Sequence, residues 1–189
     1  MVETLYERVD REEATVACIY FDLAAQEEQS PAAILGSVLK QIVDGLREIP
    51  ERIVKAFQDR GKAIGGQRLV LAEIVELLQD ISSSRSTFIC IDAIDECQAR
   101  HRVKFLDSLN QILRRSPGVR IFVTGRPGVR DEVVRHLPRR AVMRSIIPTK
   151  DDIAIFLREK LREDKMPDAM DKSLGEEIIT TIPETVSKM

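Results

Sequence analysis

The stretch Phe88-Ile-Cys-Ile-Asp-Ala-Ile-Asp-Glu-Cys97 decides the fold. Its first four residues are apolar and read as a short buried strand. Asp92 stands at the carboxyl end of that strand, where open α/β sheets place their ligands. Asp95 and Glu96 follow in the turn that leaves it. Three carboxylates within five residues repel one another unless a cation or a proton intervenes. Mg²⁺ suits such a turn, because it takes hard oxygen ligands and shares them with phosphates. A solvated acidic turn behind a core strand is the plainer alternative. The order strand, Asp, small residue, apolar residue, Asp-Glu favours the functional one.

A second stretch, Val119-Arg-Ile-Phe-Val-Thr-Gly-Arg-Pro127, has the same build. An apolar strand ends in the polar Thr124, and Arg126 follows on a loop stiffened by Pro127. An arginine fixed at the carboxyl edge of a parallel sheet can donate two parallel hydrogen bonds to a phosphate. Taken alone it is equally a surface arginine; beside the acidic strand it gains weight.

Outward from these two, Val16 to Phe21 reads as another buried strand. Ser30-Pro31 opens a helix with Ser at the cap and Pro at the first helical position. Helical spacing then runs through Ile34, Leu35, Val38, Leu39, Ile42 and Leu46, again over Glu51 to Gln58, and again over Leu69 to Ile81. Gly61, Gly65 and Gly66 mark a loop. A helix carries Val103, Phe105, Leu106, Leu109 and Ile112, and a short one covers Asp131 to His136. The apolar run Ala141 to Ile147 reads as a fourth strand. Thr149 then caps a helix through Leu161, and Lys172 to Thr181 is helical. The first 15 residues read as the end of a helix through Leu5 and Val9. Strands separated by helices give an α/β fold with a mainly parallel sheet covered on both faces.

Composition narrows the function. The chain has 189 residues, 43% hydrophobic and 32% charged, with a net charge of −2. That is a globular balance, and a general nucleic-acid or membrane-surface binder is usually more basic. Aromatics amount to 4% with no Trp, which disfavours base-stacking platforms. Cys18, Cys90 and Cys97 lack paired metal spacing, and only two histidines accompany them, against a disulfide framework or structural zinc. Cys90 and Cys97 read as a core and a turn residue. No secretory signal or membrane-length apolar run is present, so a soluble intracellular protein is expected. Between Gln111 and Ser145 nine arginines face only Asp131 and Glu132, while Met1 to Ser30 is acidic. Solvated helix faces account for most of these charges.

The two strand-end motifs resemble the Walker B and sensor 1 segments of the NACHT group of STAND P-loop NTPases. They are most similar to the nephrocystin-3-like NACHT domains of fungal NOD-like receptor proteins. That family typically reads Asp-Ala-Leu-Asp-Glu-Cys and Thr-Ser-Arg-Pro; here Ile94 replaces the Leu and Gly125 the Ser. The likeness runs from about Val16 to about Leu161. The family's phosphate loop, Gly-x-x-x-x-Gly-Lys-Ser/Thr, has no match in the chain. Gly61 to Gly66 has the glycine spacing, but Gln67-Arg68 stands where Lys-Ser/Thr belongs.

The resemblance implies a P-loop NTPase-like sheet (RecA/ASCE type) without the P-loop strand, with residues 1–148 as a partial nucleotide-binding core and 149–189 as the truncated start of a helical lid. Met1 is then expected to fall inside the helix after the P-loop, and the chain to stop before the winged-helix region. For the complete domain it implies an ATP- or GTP-dependent cytoplasmic signalling switch that self-oligomerises, with flanking effector and repeat domains. Asp92 would bind Mg²⁺ through water, and Asp95 and Glu96 would orient or deprotonate the attacking water. Thr124 and Arg126 would contact nucleotide, Arg126 at the γ-phosphate. Without a phosphate loop, little hydrolysis is expected from this chain alone. The rival reading is a non-catalytic interaction module that keeps the fold; a nucleic-acid binder using the arginine-rich stretch comes third.

Overall fold

The computed structural model describes residues 14–61, 69–137, 142–163 and 172–186. The chain divides into two compact units, Met1–Ala141 and Val142–Met189. Of the amino-terminal helix expected over the first 15 residues, only Ala14 and Thr15 are described, and they belong to a strand; the rest of it and the Gly65-Gly66 loop lie outside the described residues.

The first unit is built on three parallel strands, β1 (Ala14–Tyr20), β2 (Ser86–Asp92) and β3 (Val119–Val123), in the order β1-β2-β3. Parallel neighbours need a long crossover. Between β1 and β2 it is supplied by α1 (Pro31–Asp44), α2 (Glu51–Gly61) and α3 (Leu71–Ser83). Between β2 and β3 it is α4 (Ala99–Arg115), and α5 (Arg130–His136) follows β3. The result is an α/β core consistent with a P-loop NTPase-like fold.

Each helix starts and packs for legible reasons. The Ser30 hydroxyl accepts from the Ala33 N–H, and Pro31 occupies the first turn of α1, where no hydrogen-bond donor is needed. At the start of α3 the Glu73 carboxylate accepts from the Val70 N–H. The apolar stripes of α1 (Ile34, Leu35, Val38, Leu39, Ile42), α3 (Ile74, Leu78, Ile81) and α4 (Phe105, Leu106, Leu109, Ile112) join one buried cluster. Register aligns the strands' contribution in rows: Ala17, Ile89 and Ile121 in one, Ile19, Ile91 and Val123 in the next. The alternate rows, Cys18-Cys90-Phe122 and Tyr20-Asp92, face the other way. This pleat puts Asp92 on the sheet face opposite that helical core.

The sheet's two edges differ. On β1 the N–H and C=O of Cys18 point away from β2, and the Gln41 side-chain amide of α1 takes both: Nε2 donates to the Cys18 carbonyl at 2.9 Å and Oε1 accepts from its N–H at 2.8 Å. On β3, Arg120 folds its guanidinium back onto the carbonyls of Pro117 and Val119. The outward N–H and C=O groups of Ile121 and Val123 have no partner among the described residues.

The expected fourth strand is a correction. Residues 142–149 form no secondary structure, and Ile146 is 89% exposed, with Val142 and Ile147 nearly as open. β propensity needs a neighbouring strand to exchange hydrogen bonds and cover the side chains; among the described residues of this unit there is none. The other described residues of this unit lie almost entirely in two helices. Thr149 and Asp152 close a reciprocal capping box on α6 (Lys150–Arg162), which holds the Asp152 carboxyl below its ordinary range. That helix packs against α7 (Lys172–Val186), and Lys150 reaches Glu184 at 3.8 Å. The helix expected over Lys172 to Thr181 continues to Val186, through Pro183. Among the described residues no helix is long and apolar enough to cross a membrane.

Candidate functional site

The acidic turn begins with a backbone irregularity. Ala93, directly after Asp92, takes φ 53° and ψ 48°, the only non-glycine residue with positive φ among those described. This left-handed step costs about 1 kcal/mol or more, so the surroundings must hold it. Thr124 does. Its N–H donates to the Ile91 carbonyl at 2.9 Å and its carbonyl accepts from the Ile94 N–H at 3.0 Å. Its hydroxyl accepts from the Ala93 N–H at 3.0 Å and donates to the Asp92 carboxylate. One residue at the end of β3 thereby fixes the exit of β2 and aims Asp92.

The three carboxylates do not converge. Asp92 is turned to Thr124 and is otherwise exposed. Asp95, 15% exposed, accepts from the Arg126 N–H at 3.0 Å and pairs with Arg126 Nε at 3.4 Å. Glu96 accepts from the Leu23 N–H at 3.2 Å, and its carbonyl accepts from Gln26 at 2.5 Å. The mutual repulsion expected from sequence is relieved by separate partners. Among the described residues no group of three or more His, Cys, Asp or Glu side chains is arranged to hold a metal.

Arg126 is 82% exposed, so its charge projects to solvent while Asp95 steadies its base. Gly125 before it is required by space. A Cβ there would sit 2.8 Å from the Ile94 methyl Cγ2, 3.1 Å from Val129 Cγ2 and 3.4 Å from the Asp95 carboxylate. The arginine loop thus rests directly on the acidic turn.

Sequence reasoning missed the brace beneath this turn. Arg102, in the first turns of α4, donates to the Cys97 carbonyl at 2.7 Å and to the Asp95 carbonyl at 3.4 Å. Its other nitrogens form a two-point bridge to Glu132 of α5, at 3.0 and 2.9 Å. The bridge lowers the Glu132 carboxyl pKa and raises that of the guanidinium. Farther along α5, His136 Nδ1 meets Asp107 at 2.7 Å. Arginine at an amphipathic helix start reads as solvated, and only the tertiary contact with α5 reveals its task. Burial pushes the Cys97 thiol up to about 11, which fits its reading as a turn residue.

These features define a class: an α/β domain whose central parallel strand ends in an acidic turn faced by a threonine and an arginine from the next strand. The chain matches the family model described as nephrocystin 3, N-terminal, over residues 1–126. It belongs to that family. No curated protein matches it.

Proposed function

We propose that the chain is part of the nucleotide-binding module of a NACHT-type signalling switch, with residues 1–148 in the core and 149–189 opening a helical lid. The observation that carries this reading is the pairing of two strand ends, Thr124 on Asp92 and Arg126 on Asp95. It supplies an oriented, exposed carboxylate beside an exposed, steadied guanidinium. Those are complementary to the two parts of a magnesium–triphosphate.

The donor set fits Mg²⁺ of one kind only. A lone carboxylate suits an ion that keeps water and phosphate oxygens as its remaining ligands, and not an ion held in an all-protein cage. Asp92 would hold it through water, and bound there Mg²⁺ neutralises phosphate charge. Thr124 keeps the Asp92 carboxylate aimed. Arg126 has its two terminal nitrogens for a γ-phosphate. Glu96, braced on Leu23, orients or deprotonates the attacking water together with Asp95.

The chain has no phosphate loop, so it binds Mg-ATP weakly by itself. A chimaera carrying a Gly-x-x-x-x-Gly-Lys-Ser strand, loop and helix ahead of the sequence tests the reading. It should bind ATP in a Mg²⁺-dependent way, and Asp92→Ala should weaken this. Glu96→Gln should slow hydrolysis with ATP still bound. Arg126→Ala removes a charge-assisted contact of roughly 1.5–3 kcal/mol, so ATP affinity should fall on the order of 10- to 150-fold, with ADP affected much less. Equal losses for both nucleotides would return Arg126 to a structural role. A folded chimaera indifferent to nucleotide would leave the interaction-module reading.

A further inference from the structure

Two of the three thiols share a feature that nucleotide chemistry does not use. Cys18 on β1 and Cys90 on β2 are register partners. Side chains directly opposite on adjacent strands share a face, so the two thiols lie side by side on the sheet. Cys90 is buried and Cys18 half-buried, so approach is from the Cys18 side. Phe122 completes the row on β3 at 42% exposure. Gln41 fixes the backbone of Cys18 on both its N–H and its C=O, and β2 is the central strand. The pair is therefore held on rigid elements.

We infer that Cys18 and Cys90 form a two-sulfur site for a soft, thiophilic ion, of the class that bonds two thiolates at once. Spacing favours an ion over a disulfide. Directly opposite residues on adjacent strands leave their Cβ atoms about one strand spacing apart, about 4.8 Å, outside the range of about 3.5–4.5 Å that a disulfide needs between its Cβ atoms. A bridging ion needs no such closure. Softness matches as well, since thiolates select soft ions over hard ones such as Mg²⁺. Cys90 and Asp92 are two residues apart on one strand and one face, which places a soft site one row beneath the hard-oxygen carboxylate.

Phenylarsine oxide is the probe, because a stable adduct requires two adjacent thiols. Both S–H protons leave, two As–S bonds form, and the arsenic-bound oxygen departs with those protons as water; arsenic stays trivalent throughout. Native-state mass spectrometry of the full chain should show one adduct per chain, reversed by a small dithiol and resistant to an equal concentration of a monothiol. Cys97→Ala should keep the adduct. Cys18→Ser and Cys90→Ser, nearly isosteric changes checked for folding by circular dichroism, should each lose it. Binding to the native state raises the melting temperature, so the probe should stabilise wild type and Cys97→Ala and leave Cys18→Ser unmoved. An adduct that survives in folded Cys18→Ser, or no adduct on the folded wild-type chain, overturns the inference. Neither outcome bears on Mg-nucleotide binding, which is read separately by the chimaera.

Discussion

The two flanks of β2 are finished differently. On the β1 flank, Gln41 supplies a side-chain amide that imitates a neighbouring peptide, and the edge at Cys18 is closed. On the β3 flank, the outward groups of Ile121 and Val123 are bare among the described residues, and this same strand delivers Thr124, Gly125 and Arg126 to the acidic turn. Proteins commonly block strand edges against unwanted pairing. The closed flank does so. The open flank delivers the proposed site, and its edge has the hydrogen-bonding capacity for one more strand, where under the proposed function the P-loop strand of the chimaera would sit.

The largest effect should come from breaking the closed flank. Gln41→Ala removes both hydrogen bonds to Cys18, each contributing about 1–1.5 kcal/mol when the groups left behind are poorly solvated, and so should cost about 2–3 kcal/mol in urea melts. Gln41→Glu can still accept from the Cys18 N–H but cannot donate to its carbonyl. It should fall between wild type and Gln41→Ala. Equal stability of all three would mean that the amide is incidental to the edge.

Next is the brace on the open flank. Glu132 has a lowered pKa through its bridge to Arg102. Its stabilisation is therefore complete above the ordinary carboxylate value of 4.5 and is lost as pH falls through the lowered native value. Glu132→Gln should cost about 2 kcal/mol at neutral pH, the contribution of a hydrogen bond to a charged group, and flatten the acid limb of the stability profile. An unchanged acid limb in that variant would assign acid sensitivity to other carboxylates.

A smaller, more specific effect lies at Gly125. An added methyl meets Ile94 Cγ2 at 2.8 Å, so Gly125→Ala should cost about 1–2 kcal/mol by overpacking. Leucine at 94 lacks the methyl on Cβ, so Ile94→Leu should recover most of that loss, with a coupling of about 1 kcal/mol in the double-mutant cycle. The two departures from the typical family motif then compensate each other. Strict additivity would show that they are independent.

How far the sequence revealed this depends on what each residue needs. Phe88 to Ile91 alternate between the helical core, which takes Ile89 and Ile91, and the other face, where Cys90 is buried and Phe88 half-buried, so their apolar run identifies β2 and places Asp92 at its end. Helix starts at Ser30 and Thr149 are local hydrogen-bond patterns and read equally well. Val142 to Ile147 has the same apolar, β-branched character and forms no strand, because strand formation depends on a partner that composition does not report. The left-handed Ala93 has no local signal, since it is held by Thr124 from 31 residues away. Arg102 has none either. Gln41 did have one: a polar residue set among Val38, Leu39 and Ile42 on a buried helical stripe, which asks for a polar partner.

The smallest effect on stability, and the sharpest test of the open flank, is Ile121→Pro. Even-numbered residues of β3 face β2, as shown by the Thr124 N–H on the Ile91 carbonyl, so the Ile121 N–H points outward. Proline there removes no ladder bond and needs an extended preceding residue, which Arg120 is. The cost should be below about 1 kcal/mol, from the tighter φ and the lost side-chain packing. An apolar edge with unpaired groups is prone to pair with another chain, so the wild-type chain by itself should self-associate as concentration rises. Ile121→Pro blocks the edge donor and should lower that association in sedimentation velocity. The chimaera, with a strand seated on β3, should lower it further without any substitution. If the wild-type chain is a clean monomer with a cooperative, high-temperature melt, the β3 edge is closed by other means and the contrast between the flanks fails.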